Sequence, residues 1–382
     1  MRARGNERAR GQLIVLLALS LTVILLAVGL VVDAAYAYAQ QRGAQNAADF
    51  GAIAGARVVA LAIDANANGQ AAPSDSAVQT AVQQAVSSNN GAVTFGSPDG
   101  PRYVDKNGNL LAYVGSAGTI PSGAVGVTVG SSRSWAPFFL GVMGVSNWTA
   151  GASATARGGY LAGAPGGSLL PIGVSVCNFP NPPASANCQG TTSTYDFCPS
   201  NETAQQCGSQ NLTDGGLNLP GGFGWLKFGC YPGNNAVDDG RGCSNNDPFL
   251  QHEIGDNGPD GNQPPGHSYG CCGDIAPGSF IKVGSLPGNK PADLSYYINN
   301  NLTALVPVYR DCVAGGSGCA QGSGGYYEII GFVGFQITGQ DTGGSGQHAK
   351  WLTGVWRQLF FTGPTTSTPG FPGAPLAIQL VQ

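Results

Sequence analysis

LIVLLALSLTVILLAVGLVVDAAYAYAQQRGAQNAADFGAIAGARVVALAI, residues 13–63, is the stretch on which the reading of this chain turns. Its first twenty residues, Leu13–Val32, carry no charge. A helix of that length spans about 30 Å, the hydrocarbon thickness of a bilayer. Just before it stand Arg2, Arg4, Arg8 and Arg10 against a single Glu7. Basic flanks stay on the cytoplasmic side, so the N-terminus is expected inside and everything after Val32 outside. A cleaved signal peptide is the competing reading, because Ala37-Tyr38-Ala39 has the small-residue pattern of a cleavage site. Signal h-regions, however, run to about 7–15 residues, and this apolar run is longer. Both readings export the rest of the chain.

Beyond Asp33 the sequence has no proline as far as Ile63 and is rich in alanine, so the helix is expected to continue past the membrane. Gly43, Ala47, Gly51 and Gly55 recur every four residues, with Ala44, Ala48, Ala52 and Ala56 as the adjacent row. Such a ridge of small side chains lets another element approach the helix backbone closely. Its partner is either the protein's own domain or a helix of another subunit. Asp33 and Asp49 read as interfacial or capping carboxylates rather than chemical groups.

Several of these residues carry a family resemblance. Arg10-Gly11-Gln12, the apolar span, Val32-Asp33, Tyr36, and Gln45-Asn46-Ala47-Ala48-Asp49 with Ala52, Ala54, Gly55 and Ala56 form a pattern over roughly residues 10–57. It resembles the N-terminal region of TadE/TadG-like Flp (tight adherence) pilus-assembly proteins. The resemblance implies a component of the Flp pilus machinery in a bacterial cell membrane, with other pilus-assembly or pseudopilin subunits as partners. Some relatives are pseudopilins processed after a Gly that has a Glu at the fifth position beyond. Here the fifth residue after Gly11 is Leu16, which departs from that pattern.

The composition separates the two ends of the chain. Of 382 residues 61 are Gly and only 10% are charged, against about a quarter in an average soluble domain. Residues 1–158 hold ten Lys/Arg against seven Asp/Glu; residues 159–382 hold seven against fourteen. No basic patch with interleaved aromatics occurs, so nucleic acid is not an expected partner. All ten cysteines (Cys177, Cys188, Cys198, Cys207, Cys230, Cys243, Cys271, Cys272, Cys312 and Cys319) lie between residues 177 and 319. An even number in an exported, Gly/Pro/Asn-rich stretch with few long apolar runs reads as a disulfide framework whose pairing the sequence leaves open. Zinc sites favour C-x₂₋₄-C pairs, and none is present.

Between these ends the residues predict regular elements. Pro73-Ser74-Asp75 caps an amphipathic helix over Ser76–Ser87, with Ala77, Val78, Ala81, Val82 and Ala85 at helical spacing. Tyr103-Val104 and Leu110–Val114 flank a turn at Asn107-Gly108, a hairpin signature. Asp105, Asn107 and Asn109 mimic the start of a calcium loop, but Leu110 occupies the position that needs Gly. Ala124–Val129 alternates like a strand, Ala136–Val142 reads as a short apolar helix, and Trp148–Ala156 alternates again. This succession also resembles TadG-type extracellular regions. Phe223-Gly224-Trp225-Leu226 extends the resemblance and reads either as core or as a ligand-contacting patch. Leu305–Tyr309, Tyr326–Ile337 and Lys350–Phe361 read as strands, and the tail from Thr362 as irregular until Leu376–Val381. Asp256–Gly261 reads as a solvated turn rather than a calcium site, since an EF-hand loop would need Glu where His267 stands.

The expected architecture is α+β. A basic segment (1–12) and a transmembrane helix (13–32) lead into a helix-on-antiparallel-sheet module (33–160). A disulfide-rich, mainly β domain (161–361) and a Pro/Gly-rich tail (362–382) follow. Three histidines and no G-x-S-x-G, H-E-x-x-H or P-loop leave no case for catalysis, and neither metal nor cofactor is expected. The Asp-x-Ser-x-Ser motif of von Willebrand-type domains in some TadG-like proteins is not found. The preferred reading is a membrane-anchored, extracytoplasmic pilus-assembly component, structural or adhesive. An exported carbohydrate-binding protein or hydrolase with a scattered site is the alternative.

Overall fold

The computed structural model describes residues 7–96, 98–164, 169–170, 172–176, 216–218, 223–227, 275–284, 295–310, 326–340, 352–366 and 374–381. All ten cysteines lie outside the described residues, as do His252, His267, His348 and the 256–261 turn. The chain is α+β and divides into two compact units. The first comprises Met1–Ala62, Ala72–Gly158 and Leu380–Gln382; the second comprises Ile63–Ala71 and Gly159–Gln379.

In the first unit a single helix, α1 (Glu7–Ala67), runs 61 residues without a break. Alanine and leucine sustain it, and no proline interrupts it. Below Asp33 the residues from Ile14 are exposed apart from Gly29, as befits a span. Above Asp33 one face turns inward, where Ala44, Ala47, Ala48, Ala52 and Ala56 are fully buried. That face meets α2 (Asp75–Ser88), which buries Val78, Val82 and Val86 at four-residue spacing. The sheet beside them has the order β2 (Leu110–Tyr113), β1 (Arg102–Val104), β3 (Gly126–Trp135), β4 (Trp148–Leu161), all antiparallel within this unit.

Two elements differ from their sequence reading. The third strand does not stop at Val129. It continues through Gly-Ser-Ser-Arg-Ser-Trp because every residue from Gly126 to Trp135 pairs with β4, ending at Trp135 opposite Trp148. The short helix over Ala136–Val142 is only a 3₁₀ turn, Leu140–Met143. A helix over 136–142 would bond the Phe139 and Leu140 amides to carbonyls four residues back, but a distant carboxylate takes both, as set out below. The hairpin turn is built by Asp105, whose carboxylate accepts the Asn107 and Asn109 amides (2.8 Å each) and the Asn109 side-chain amide (3.0 Å). Gly108 takes the positive φ (88°) of this turn.

The second unit is mainly β. Among its described residues one sheet is formed by β5 (Ile172–Ser175), β6 (Gly216–Asn218), β7 (Phe223–Lys227), β8 (Phe280–Gly284), β9 (Thr303–Arg310), β10 (Tyr326–Gln340) and β11 (Leu352–Trp356), beside a short helix, α3 (Ser295–Asn299). They are ordered β6-β11-β10-β8-β7-β5-β9, and β9 also pairs with β10. The ladder β10-β8-β7-β5-β9 therefore closes on itself, which removes free edges from those five strands. Leu226, Ile281, Leu305, Tyr309, Tyr327, Ile329 and Phe332 fill its core, with Tyr309 and Tyr327 stacked at 3.8 Å.

The run Lys350–Phe361 is not one strand. It divides into β11 and β12 (Phe360–Thr362): the Arg357 amide still donates to the Gly334 carbonyl (2.9 Å), and from Phe360 the chain pairs with Leu376–Ile378 instead. Within the tail, β13 (Thr365–Thr366) pairs with Tyr160-Leu161, and β14 (Leu376–Val381) lies parallel to β12.

Candidate functional site

The features that bear on function gather where the apolar part of α1 ends. Asp33 follows directly on Val32 and is only 1% exposed. A buried carboxylate is costly unless its oxygens are hydrogen-bonded. Here three backbone amides supply the bonds: Phe138 N–H donates to Oδ1 (2.8 Å), and Phe139 and Leu140 N–H donate to Oδ2 (3.0 and 2.7 Å). The loop between β3 and β4 is thereby held against the helix by a residue more than a hundred positions away.

One turn down the helix, Gly29 makes room for the same loop. A Cβ at Gly29 would lie 2.5 Å from Cγ of the Phe139 ring, so any side chain larger than hydrogen would displace that ring. Gly29 and Asp33 are the two positions of the segment Ile14–Asp33 that the protein itself buries. Above them Tyr36 makes edge contacts with Phe138 (5.5 Å) and Trp135 (6.2 Å), and Trp135 in turn lies 5.9 Å from Trp148. Arg42 sits 5.9 Å over the Tyr38 ring. Aromatic side chains followed by a cation at the end of an apolar helix are the arrangement that a membrane–water interface favours.

The row Gly43, Ala47, Gly51 and Gly55 lies on the helix face turned toward α2 and the sheet. A Cβ at Gly51 would meet Val86 at 2.6 Å and Val129 at 3.1 Å, and one at Gly55 would meet Val82 at 3.0 Å and Val127 at 3.2 Å. Gly43 faces the Arg133 guanidinium, which donates to the Asn89 carbonyl. Ala47 is fully buried. Asp49 accepts from the Gln45 side chain (2.7 Å), an i, i+4 pair on the helix surface.

A second buried carboxylate stands at the start of α2. Asp75 accepts the Tyr103 hydroxyl (2.7 Å) and the amides of Gly115 (2.9 Å), Ala117 (3.0 Å) and Gly118 (3.1 Å). It was legible only as part of a helix cap, yet it staples three segments together. Burial and this contact hold the Tyr103 hydroxyl well above the ordinary tyrosine range. The hydrogen bonds that the turn gives Asp105 hold its carboxyl below the usual carboxylate range. The bonding of both groups is structural.

Residues 11–58, which contain the span, Asp33 and the small-residue row, match the family model described as putative Flp pilus-assembly TadE/G-like. The matched residues lie on an N-terminal helix long and apolar enough to cross a membrane. No curated protein and no solved structure matches the chain.

Proposed function

We propose that this protein is a membrane-anchored, extracytoplasmic component of Flp/Tad pilus assembly, structural or adhesive in role and without catalytic activity. The observation that carries the proposal is the coincidence of the family match at 11–58 with the bilayer-length apolar helix. The arginines ahead of Leu13 favour a cytoplasmic N-terminus in a bacterial cell membrane, so everything after Val32 stands outside. In that compartment the ten cysteines of the 161–361 region pair as disulfides. Other pilus-assembly or pseudopilin subunits are the partners, reached along the membrane or through the extracytoplasmic domains.

Deletion of the gene, with complementation by the full chain, tests the role. Loss of Flp-type pili or of pilus-dependent adhesion, restored by the wild type but not by a chain lacking Leu13–Val32, is the expected result. Normal piliation and adhesion in the deletion strain would reject it. Topology reporters fused after residue 160 and at the C-terminus should report the extracytoplasmic side. Thiol counting on denatured, unreduced protein should find the cysteines blocked, whereas ten reactive thiols would contradict the stapled domain.

A further inference from the structure

We propose that the loop between β3 and β4 is a second membrane contact, inserting Phe138, Phe139, Val142 and Met143 into the outer leaflet beside α1. The inference rests on the anchor reading of Leu13–Val32 and adds to it a lipid-binding element more than a hundred residues away in sequence.

Three independent observations converge on the loop. Its composition is the first: residues 136–148, APFFLGVMGVSNW, contain no Lys, Arg, His, Asp or Glu. Exposure is the second. Phe138, Val142 and Met143 are 64%, 88% and 72% exposed. Among the described residues beyond Val32, six of the thirteen exposed large apolar or aromatic side chains fall in residues 138–148. Scattered apolar side chains on a surface need no explanation, but a concentrated charge-free patch marks an interaction site. Its depth is the third. The Phe139 ring covers Gly29, three residues inside the end of the apolar span, which at 1.5 Å per residue is about 4–5 Å below its edge. Amphipathic elements that lie at a membrane surface bury their apolar side about 5–10 Å into the headgroup and acyl boundary.

The occupant follows from continuity. A surface that packs on the span itself, at the level of the span, meets the medium that the span meets. The backbone is prepared for that medium as well. Amides in hydrocarbon need partners within the protein, and those of Phe138, Phe139 and Leu140 have one in Asp33. The same carboxylate is shielded at the edge of the bilayer by the loop it holds. Asp33 is thus a positioning residue, and the loop is a wedge that fixes how deep the helix sits.

The test is site-specific photocrosslinking of the full-length protein in bacterial membranes. p-Benzoyl-phenylalanine replaces, one at a time, Val142 in the loop, Leu21 in mid-span and Leu110 in the distant hairpin; all three side chains are exposed, so folding is not at stake. Phospholipid adducts at Val142 and Leu21, with none at Leu110, are the expected result. Lipid adducts at Leu21 but protein adducts, or none, at Val142 would overturn the wedge while leaving the anchor intact. An absence of lipid adducts at Leu21 would overturn the anchor, and the wedge with it.

Discussion

The Tyr103 hydroxyl on β1 donates to the Asp75 carboxylate at the start of α2 across 2.7 Å, and both side chains are buried. Three loop amides share that carboxylate, so its removal strands four donors at once. Asp75→Ala is expected to destabilise the first unit by about 2–4 kcal/mol and Tyr103→Phe by about 1–2 kcal/mol. Hydrogen exchange at the Val82 and Val86 amides of α2 reads this locally, which suits a chain of two units. Unchanged exchange in Asp75→Ala would contradict the staple.

The same pair sets an alkaline limit. The folded state holds the Tyr103 proton more tightly than the unfolded state, where tyrosine titrates near its ordinary value of about 10. The resulting stability is fully present below about pH 10 and is lost as pH rises above it, because only the unfolded chain then gains by ionising. Alkaline unfolding of wild type should thus be steeper than that of Tyr103→Phe above pH 10. Parallel curves would refute the linkage.

Gly51→Ala should go against propensity. On an exposed helix face this change gains about 1 kcal/mol. Here the new methyl meets Val86 and Val129, and overpacking of this kind costs about 1–3 kcal/mol, so a net loss is expected. Adding Val86→Ala should recover part of it, and the double-mutant cycle measures the coupling. Strict additivity would mean that the two positions do not press on one another.

Asp33→Ala should free the loop. The Phe138, Phe139 and Leu140 amides lose their acceptor, and their exchange is expected to speed up about 10–100-fold, equivalent to about 1.4–2.8 kcal/mol. Asp33→Asn keeps one acceptor oxygen and should fall between. Exchange unaltered in both variants would separate Asp33 from the loop.

What the sequence made legible was what local pattern determines. A charge-free run followed by alanine with no proline announces α1, valines four apart announce α2, and Asn107-Gly108 announces the hairpin. Long-range bonding was not legible. Ala136–Val142 reads as a short apolar helix, but Asp33 takes the Phe139 and Leu140 amides that such a helix would bond to carbonyls four residues back. The polar stretch from Gly130 to Ser134 lacks a buried alternation, yet β4 pairs with it residue for residue. Asp75 looks like any first-turn acid until Tyr103 and the Gly115–Gly118 loop fold onto it. The charge-free Pro-Phe-Phe-Leu-Gly-Val-Met-Gly run read as a helix, and the structure makes only the 3₁₀ turn Leu140–Met143 there.

With the apolar part of α1 in a bilayer, as proposed above, the helix runs unbroken into the body of the first unit, and membrane and domain share one lever. About 45 Å of helix, from Asp33 to Ala62, lies beyond the span. Any tilt of the rod in the bilayer must swing the domain through the same angle, and a pull on the domain must arrive at the bilayer undamped. Such stiffness suits a part that bears tension or sets an orientation for its neighbours, and a few glycines inserted near Ala39 would turn the mast into a tether.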